Sequence, residues 1–284
     1  MKTAVITDEI SQNLEEAAQV ASYFGLDAVE LRSVWDKQPH EMSENDIESI
    51  RHICKKYRLE VCAISSPFFK CKFSRDEIDA QMVILEKTIR LAKKLNCRII
   101  RGFSFWREGD FEMMLPRIAE AFKAPAKMLQ EADMELALEL DPSVYACNGE
   151  RIARLVEAID HPCIKVLWDA GNDIYAPVPE RPYPEGYQYV RPHIAHVHLK
   201  DAVKNGDSVE SVKVGTGQVG WEEQLAALKE DGYSGYISLE THYRKGSRIS
   251  EDLMRQPGGT DFSVCGREAS EECLGALQEI LKKL

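Results

Sequence analysis

The sequence predicts a (β/α)8 barrel in a single domain spanning residues 1–284, and three observations carry that prediction. Short apolar runs recur eight times, each rich in aliphatic or β-branched residues and each ending in polar ones. Helical patterns separate most of the runs. No stretch reads as an interdomain linker. Strands that alternate with helices imply parallel pairing through right-handed crossovers. Eight such units in about 250 residues suit a closed barrel better than an open doubly wound sheet. The open sheet would carry a ligand loop at its switch point, and no G-x-G-x-x-G or P-loop pattern follows an early strand. GTGQVG (215–220) has glycine spacing, but it follows no strong strand and is not expected to bind phosphate by itself.

In chain order the expected strands are TAVIT (3–7), DAVELR (27–32), LEVCAIS (59–65), CRIIRGF (97–103), ELALEL (135–140), IKVLWD (164–169), IAHVHLK (194–200) and GYISLE (235–240). A first helix runs from Leu14 to Phe24, with Ala17, Ala18, Ala21 and Phe24 on one stripe. Ser43 is placed to cap the second, with Asp46 three residues on as a variant of a capping box. Ser74 is placed to cap a longer helix holding Ile78, Met82, Leu85 and Ile89. One helix is expected from Phe111 to Ala132, with Pro116 tolerable only in its first turn. Glu150 to Ile159, Trp221 to Lys229 and Ala269 to Leu284 supply further helices. Residues 170–192 and 243–264 read as irregular. Both follow late strands, so both belong on the C-terminal face of the barrel, with 176–184 as an ordered lip.

Composition narrows the function classes. The hydrophobic fraction of 44% is ample for a large core, and a charged fraction of 29% is that of a folded protein. A net charge of −11 disfavours nucleic acid and anionic membrane surfaces as partners. No segment approaches the ~20 apolar residues of a membrane span, and MKTAVITDEI is too short in apolar residues for a signal-peptide core. The eight cysteines form no CxxC, and several sit in apolar runs, so they are expected to be reduced core thiols of a cytoplasmic protein.

The ends of the last four strands carry the chemistry. Strand five offers Glu139, strand six Asp169, strand seven His198 with His196 one step deeper, and strand eight Glu240. In HVHLKD the period of two turns His196 and His198 to one face. Three carboxylates brought together repel each other, and a divalent cation removes that penalty. Three carboxylates and one imidazole suit Mn²⁺ or Mg²⁺, with Co²⁺ or Zn²⁺ as alternatives. Arg101, Trp106, His196 and Lys200 are candidate substrate contacts, the arginine and lysine for hydroxyls or a phosphate and the indole as a wall for a sugar face, with packing inside the barrel as the other reading of His196. Glu30, at the end of strand two, could bond a ligand or a neighbouring strand. His52 and His161 are expected to be structural or solvent-facing.

LALEL, VLWDAGN, HVHLKD with the downstream KVGTGQVGW, and GYSGYISLETH resemble the xylose isomerase-like TIM-barrel superfamily, and within it the sugar (phosphate) isomerase/epimerase family. LDAVELR and NCRIIRGF agree, so the resemblance covers essentially the whole chain. It implies a single-metal site at Glu139, Asp169, His198 and Glu240, with Glu139 and Glu240 also serving as the acid/base pair. It also implies a polar substrate contact at Asn172, and it matches Lys200 to the lysine of the HLKD motif. Asn172, Lys204 and Tyr145 stand where ketose 3-epimerases commonly carry a histidine, an arginine and a glutamate, which leaves the substrate open.

The activity so implied is isomerisation or epimerisation of a ketose, keto-sugar or keto-cyclitol, phosphorylated or not, through a cis-enediolate. A dehydratase or lyase using the same site is the alternative, and a non-catalytic barrel subunit is a third reading. An abasic-site endonuclease of the same superfamily would need many more histidines at the strand ends. Homo-oligomers are common among such barrels, so a second copy is the one protein partner left open.

Overall fold

The computed structural model describes residues 1–206, 208–250, 256 and 258–284. Eight parallel strands close into a barrel: β1 (Lys2–Ile6), β2 (Ala28–Leu31), β3 (Glu60–Ile64), β4 (Ile99–Gly102), β5 (Glu135–Glu139), β6 (Ile164–Asp169), β7 (Ile194–Leu199) and β10 (Tyr236–Leu239). Each pairs with its neighbour in sequence, and β10 closes on β1 through the register Lys2↔Tyr236 to Val5↔Leu239. All eight expected strands are present. They are buried on both faces, as parallel strands covered by helices must be, and this is why they read as apolar runs rather than as alternating ones.

The helices form the outer layer: α1 (Leu14–Tyr23), α2 (Glu44–Tyr57), α3 (Arg75–Lys94), α4 (Phe111–Ala121), α5 (Lys123–Ala132), α6 (Gly149–Ile159), α7 (Ala170–Tyr175), α8 (Tyr187–Val190), α9 (Trp221–Glu230) and α10 (Gly266–Lys282). The main core lies between this layer and the strands. A small separate cluster of Ala4, Ala28, Cys62 and Ala63 fills the barrel near the starts of its first strands. The eight cysteines are all free, with Cys265 exposed, Cys163 half-buried and the other six buried.

The local signals hold unevenly. Ser43 and Asp46 form the expected reciprocal capping box on α2. Ser74 occupies the N-cap position of α3, but its side chain accepts no capping bond. The helix expected over 111–132 is two helices broken at Phe122, and Pro116 lies at the sixth residue of α4 rather than in its first turn. Pro125 accounts for the break: a continuous helix would need its N–H on the Ala121 carbonyl, and proline has none. Phe122 turns inward at the break and meets Phe69 edge-on at 5.1 Å.

The stretch 170–192 is more regular than expected. It contains α7, a kinked segment over Pro182–Gly186 in which Tyr183 is extended, and α8. The Glu180 carboxylate accepts from the backbone N–H groups of Gly149 (2.8 Å) and Glu150 (3.1 Å), which ties this lip to the start of α6. Part of the second irregular stretch, residues 251–255 and 257, lies outside the described residues. One element was not anticipated. An antiparallel hairpin of β8 (Asp201–Asn205) and β9 (Ser208–Val212) follows β7 directly.

Candidate metal centre

The four proposed ligands meet at the C-terminal mouth of the barrel. Glu139 ends β5, Asp169 ends β6, His198 is the penultimate residue of β7, and Glu240 directly follows β10. One ligand atom from each lies within 4.8 Å of all the others. All four side chains are buried. His198 Nδ1 lies 3.6 Å from Glu139, 3.7 Å from Glu240 and 3.9 Å from Asp169, and it has no hydrogen-bond partner.

The other imidazole nitrogen explains that orientation. His198 Nε2 lies 2.9 Å from Glu30 Oε1, while His196 Nε2 lies 2.8 Å from Glu30 Oε2. Ser65 Oγ donates to the same carboxylate. Burial disfavours the ionised form of Glu30, yet the two imidazoles outweigh it and hold the carboxyl well below the usual range. A carboxylate behind a histidine fixes the ring and its tautomer in metal sites. Glu30 therefore aims His198 rather than facing the cavity. His196 is fully buried below the cavity floor, so its place is that of a support for Glu30 and not of a substrate contact.

The carboxylates have unequal surroundings. Burial opposes ionisation of Glu139, but the Arg101 guanidinium at 3.2 Å and His198 hold it down at about 2. The Asn172 amide donates to Asp169 (3.1 Å), to Glu139 (3.3 Å) and to the Leu140 carbonyl (2.8 Å). Lys200 bridges Asp169 and Glu240 with its ammonium. The two carboxyls that share it are driven apart: burial and the neighbouring glutamates push Asp169 well above its usual range, while Lys200 overcomes burial at Glu240 and holds it well below.

Two further groups of potential ligands surround this one, and the carboxylates of both are paired within the protein. Glu30, His196 and His198 bond each other as described. Glu9, Glu240 and His242 enclose the Arg32 guanidinium, which reaches Glu9 at 2.7 Å, Glu240 at 2.9 Å and Asp8 at 3.1 Å. Arg244 adds a second guanidinium on Glu9 at 3.1 Å, so fixed cations already hold the Glu9 oxygens a metal would need. The four-residue cluster differs in the number of carboxylates it gathers: the unpartnered His198 Nδ1 faces three carboxylate oxygens, whereas the unpartnered His242 Nε2 faces two, each at 3.5 Å. Three hard oxygens and one nitrogen fit a divalent cation.

The cluster opens into a cavity of about 1010 Å³ lined among others by Arg32, Arg101, Trp106, Lys200, Asn172 and His242. Trp106 stands at its rim, 40% exposed, with its backbone fixed by Cys71 and Val144. Arg32, Asp8 and Glu9 were missed by the sequence reading. Arg32 directly follows β2 and Asp8 and Glu9 lie in the turn after β1, so the reasoning that singles out the four late strand ends applies to them equally. The GTGQVG turn binds no anion through its backbone, because the Asp201 carboxylate already accepts from the N–H groups of Gly215, Gly217 and Val219.

The chain belongs to the xylose isomerase-like TIM barrel family, whose model matches residues 17–259. Among curated proteins it is 28% identical over 133 residues to an uncharacterized protein of Methanocaldococcus jannaschii, a match over 46% of this chain and 44% of that one, less than half of either. Among solved structures it is similar to the IolI protein with a bound zinc atom (15% identity, 100% of this chain and 99% of that one, TM-score 0.77). It is similar to D-psicose 3-epimerase with D-tagatose from Clostridium cellulolyticum H10 (15%, 99% of each, TM-score 0.74). It is also similar to the probable 3-DHS dehydratase AsbF from Bacillus anthracis (18%, 90% and 96%, TM-score 0.68). At these identities the likenesses show the shared fold. No helix among the described residues is long and apolar enough to cross a membrane.

Proposed function

We propose that the protein is a cytoplasmic, metal-dependent isomerase or epimerase of a ketose, keto-sugar or keto-cyclitol, with Glu139, Asp169, His198 and Glu240 as ligands of one divalent cation. The observation that carries this reading is the buried, unpartnered Nδ1 of His198, held by Glu30 toward three carboxylates. Mn²⁺ or Mg²⁺ suits the donor set, and Co²⁺ or Zn²⁺ would also bind. When bound, the cation supplies Lewis acidity to a substrate carbonyl.

The chain's own residues then move the proton. Glu139, held ionised by Arg101, is a base for the proton on the carbon next to the carbonyl. Glu240, on the other side of the cluster, would take up a proton from solvent once Lys200 has left it and return that proton to carbon, while the proton on Glu139 passes to solvent. Return to the same carbon is epimerisation, and return to its neighbour is isomerisation. Arg101, Asn172 and Lys200 line the cavity and offer donors to substrate hydroxyls, and Trp106 offers an apolar wall. The likeness to an epimerase solved with D-tagatose supports the reading. The likeness to a probable 3-DHS dehydratase supports a second one, loss of a β-hydroxyl from the same enolised substrate.

The test is proton exchange. Ketoses, keto-cyclitols and oxidised glycosides are incubated with protein and Mn²⁺ in D₂O and followed by NMR. Deuterium should enter at one α-carbon, and Glu139→Gln and Glu240→Gln should each lower the rate by at least about a thousandfold. Near-native exchange in either variant would contradict the two-glutamate scheme.

A further inference from the structure

We infer that Lys200 is the resident cation of the carboxylate cluster: its ammonium holds Asp169 and Glu240 together in the metal-free barrel, must withdraw when a metal enters, and so sets the affinity of the site. The inference rests on the metal reading above and adds to it a competitor built into the chain.

The first observation is which oxygens the ammonium occupies. Lys200 Nζ donates to Asp169 Oδ2 and Glu240 Oε2. These are the two oxygens that, with Glu139, surround the unpartnered His198 Nδ1. Lys200 thus sits on the atoms a metal would use. Three carboxylates buried together need a positive charge, and a buried ammonium in turn needs carboxylate partners. Each satisfies the other. The match is still incomplete, because the ammonium makes no bond to the imidazole nitrogen that faces the same oxygens.

The second observation is that Lys200 has room to leave and Arg32 does not. Arg32 is held by Asp8, Glu9 and Glu240 through a rigid fork. Lys200 carries its charge on a flexible four-carbon stem that lines the open cavity. Its backbone is anchored independently, since Trp221 Nε1 donates to the Lys200 carbonyl at 2.8 Å. The stem crosses Gly171, where a Cβ would lie 2.5 Å from Lys200 Cγ. A glycine in the first turn of α7 therefore leaves the path that the side chain uses.

Replacing the ammonium removes both a competing ion pair and a like charge beside the incoming cation, and both effects tighten metal binding. The experiment titrates Mn²⁺ into EDTA-treated, dialysed protein by calorimetry and records thermal melts of the same samples. Lys200→Met should bind Mn²⁺ at least about tenfold tighter than the wild type. Its metal-free form should melt lower, with the deficit closing on Mn²⁺ addition. Lys200→Gln, which keeps a polar group, should shift both readings in the same direction, and it serves if the Met variant does not fold without metal. If the wild type binds Mn²⁺ and neither variant binds more tightly, Lys200 is no competitor and only this inference fails. If none of the three proteins binds Mn²⁺, the metal reading fails and takes the inference with it.

Discussion

His198 shows how one side chain is specified from both ends. Its Nε2 faces Glu30, which the barrel brings across from β2, and its Nδ1 faces three carboxylates from β5, β6 and the end of β10. Burial disfavours the imidazolium, but the carboxylates of Glu30 and Glu139 outweigh it and push the metal-free pKa up to about 10. The folded value lies above the unfolded one of about 6.5. The resulting stabilisation is present in full below about pH 6.5 and is lost as the pH rises toward about 10. Thermal melts in EDTA should fall across that range, and His198→Gln should flatten the fall. The same proton must leave when metal binds. Glu30→Gln keeps all four ligands yet should weaken Mn²⁺ binding about 10–100-fold by calorimetry. The cluster of proposed ligands was legible because carboxylates and a histidine close four successive strands. The roles of Glu30, Arg32 and Lys200 were not. A charged residue at a strand end reads the same whether it faces a ligand, a histidine or another charge, and only the closed barrel decides which neighbour it meets.

At the scale of elements, sequence signals worked where the determinant is local. The Ser43–Asp46 box on α2 is such a case, and Ser43→Ala should cost about 1 kcal/mol in urea unfolding. The break at Phe122 and the β8–β9 hairpin were missed for different reasons. At Phe122 the apolar period runs on through the break, and the decisive feature is the absent N–H of Pro125. The hairpin pairs Asn205 with Ser208, so Asn205-Gly206 is not its two-residue loop, and its strands are short and partly polar. The turn after the hairpin depends on contact rather than pattern. A Cβ at Gly217 would lie 2.1 Å from Asp201 Oδ1, against the carboxylate that accepts from four backbone N–H groups. Gly217→Ala should destabilise the fold by about 2 kcal/mol, read as a lower urea midpoint.

For the molecule as a whole, the eight apolar runs sufficed for a closed parallel barrel, because strands buried on both faces leave a continuous apolar signature. The charge distribution did not follow from the total. The chain carries −11 overall, yet Arg32, Arg101 and Lys200 are buried at the cavity among the carboxylates. A bound metal would add its binding energy to the folded state, about 2.7 kcal/mol at a hundredfold excess over Kd. The central claim is that one divalent cation occupies the four-residue cluster, and anomalous diffraction tests it most directly. Crystals grown with Mn²⁺ should show one strong anomalous peak per chain within coordination distance of Glu139, Asp169, His198 and Glu240, with Lys200 turned away. A peak at Glu9 and His242 instead, or none with Lys200 still bridging Asp169 and Glu240, would contradict it.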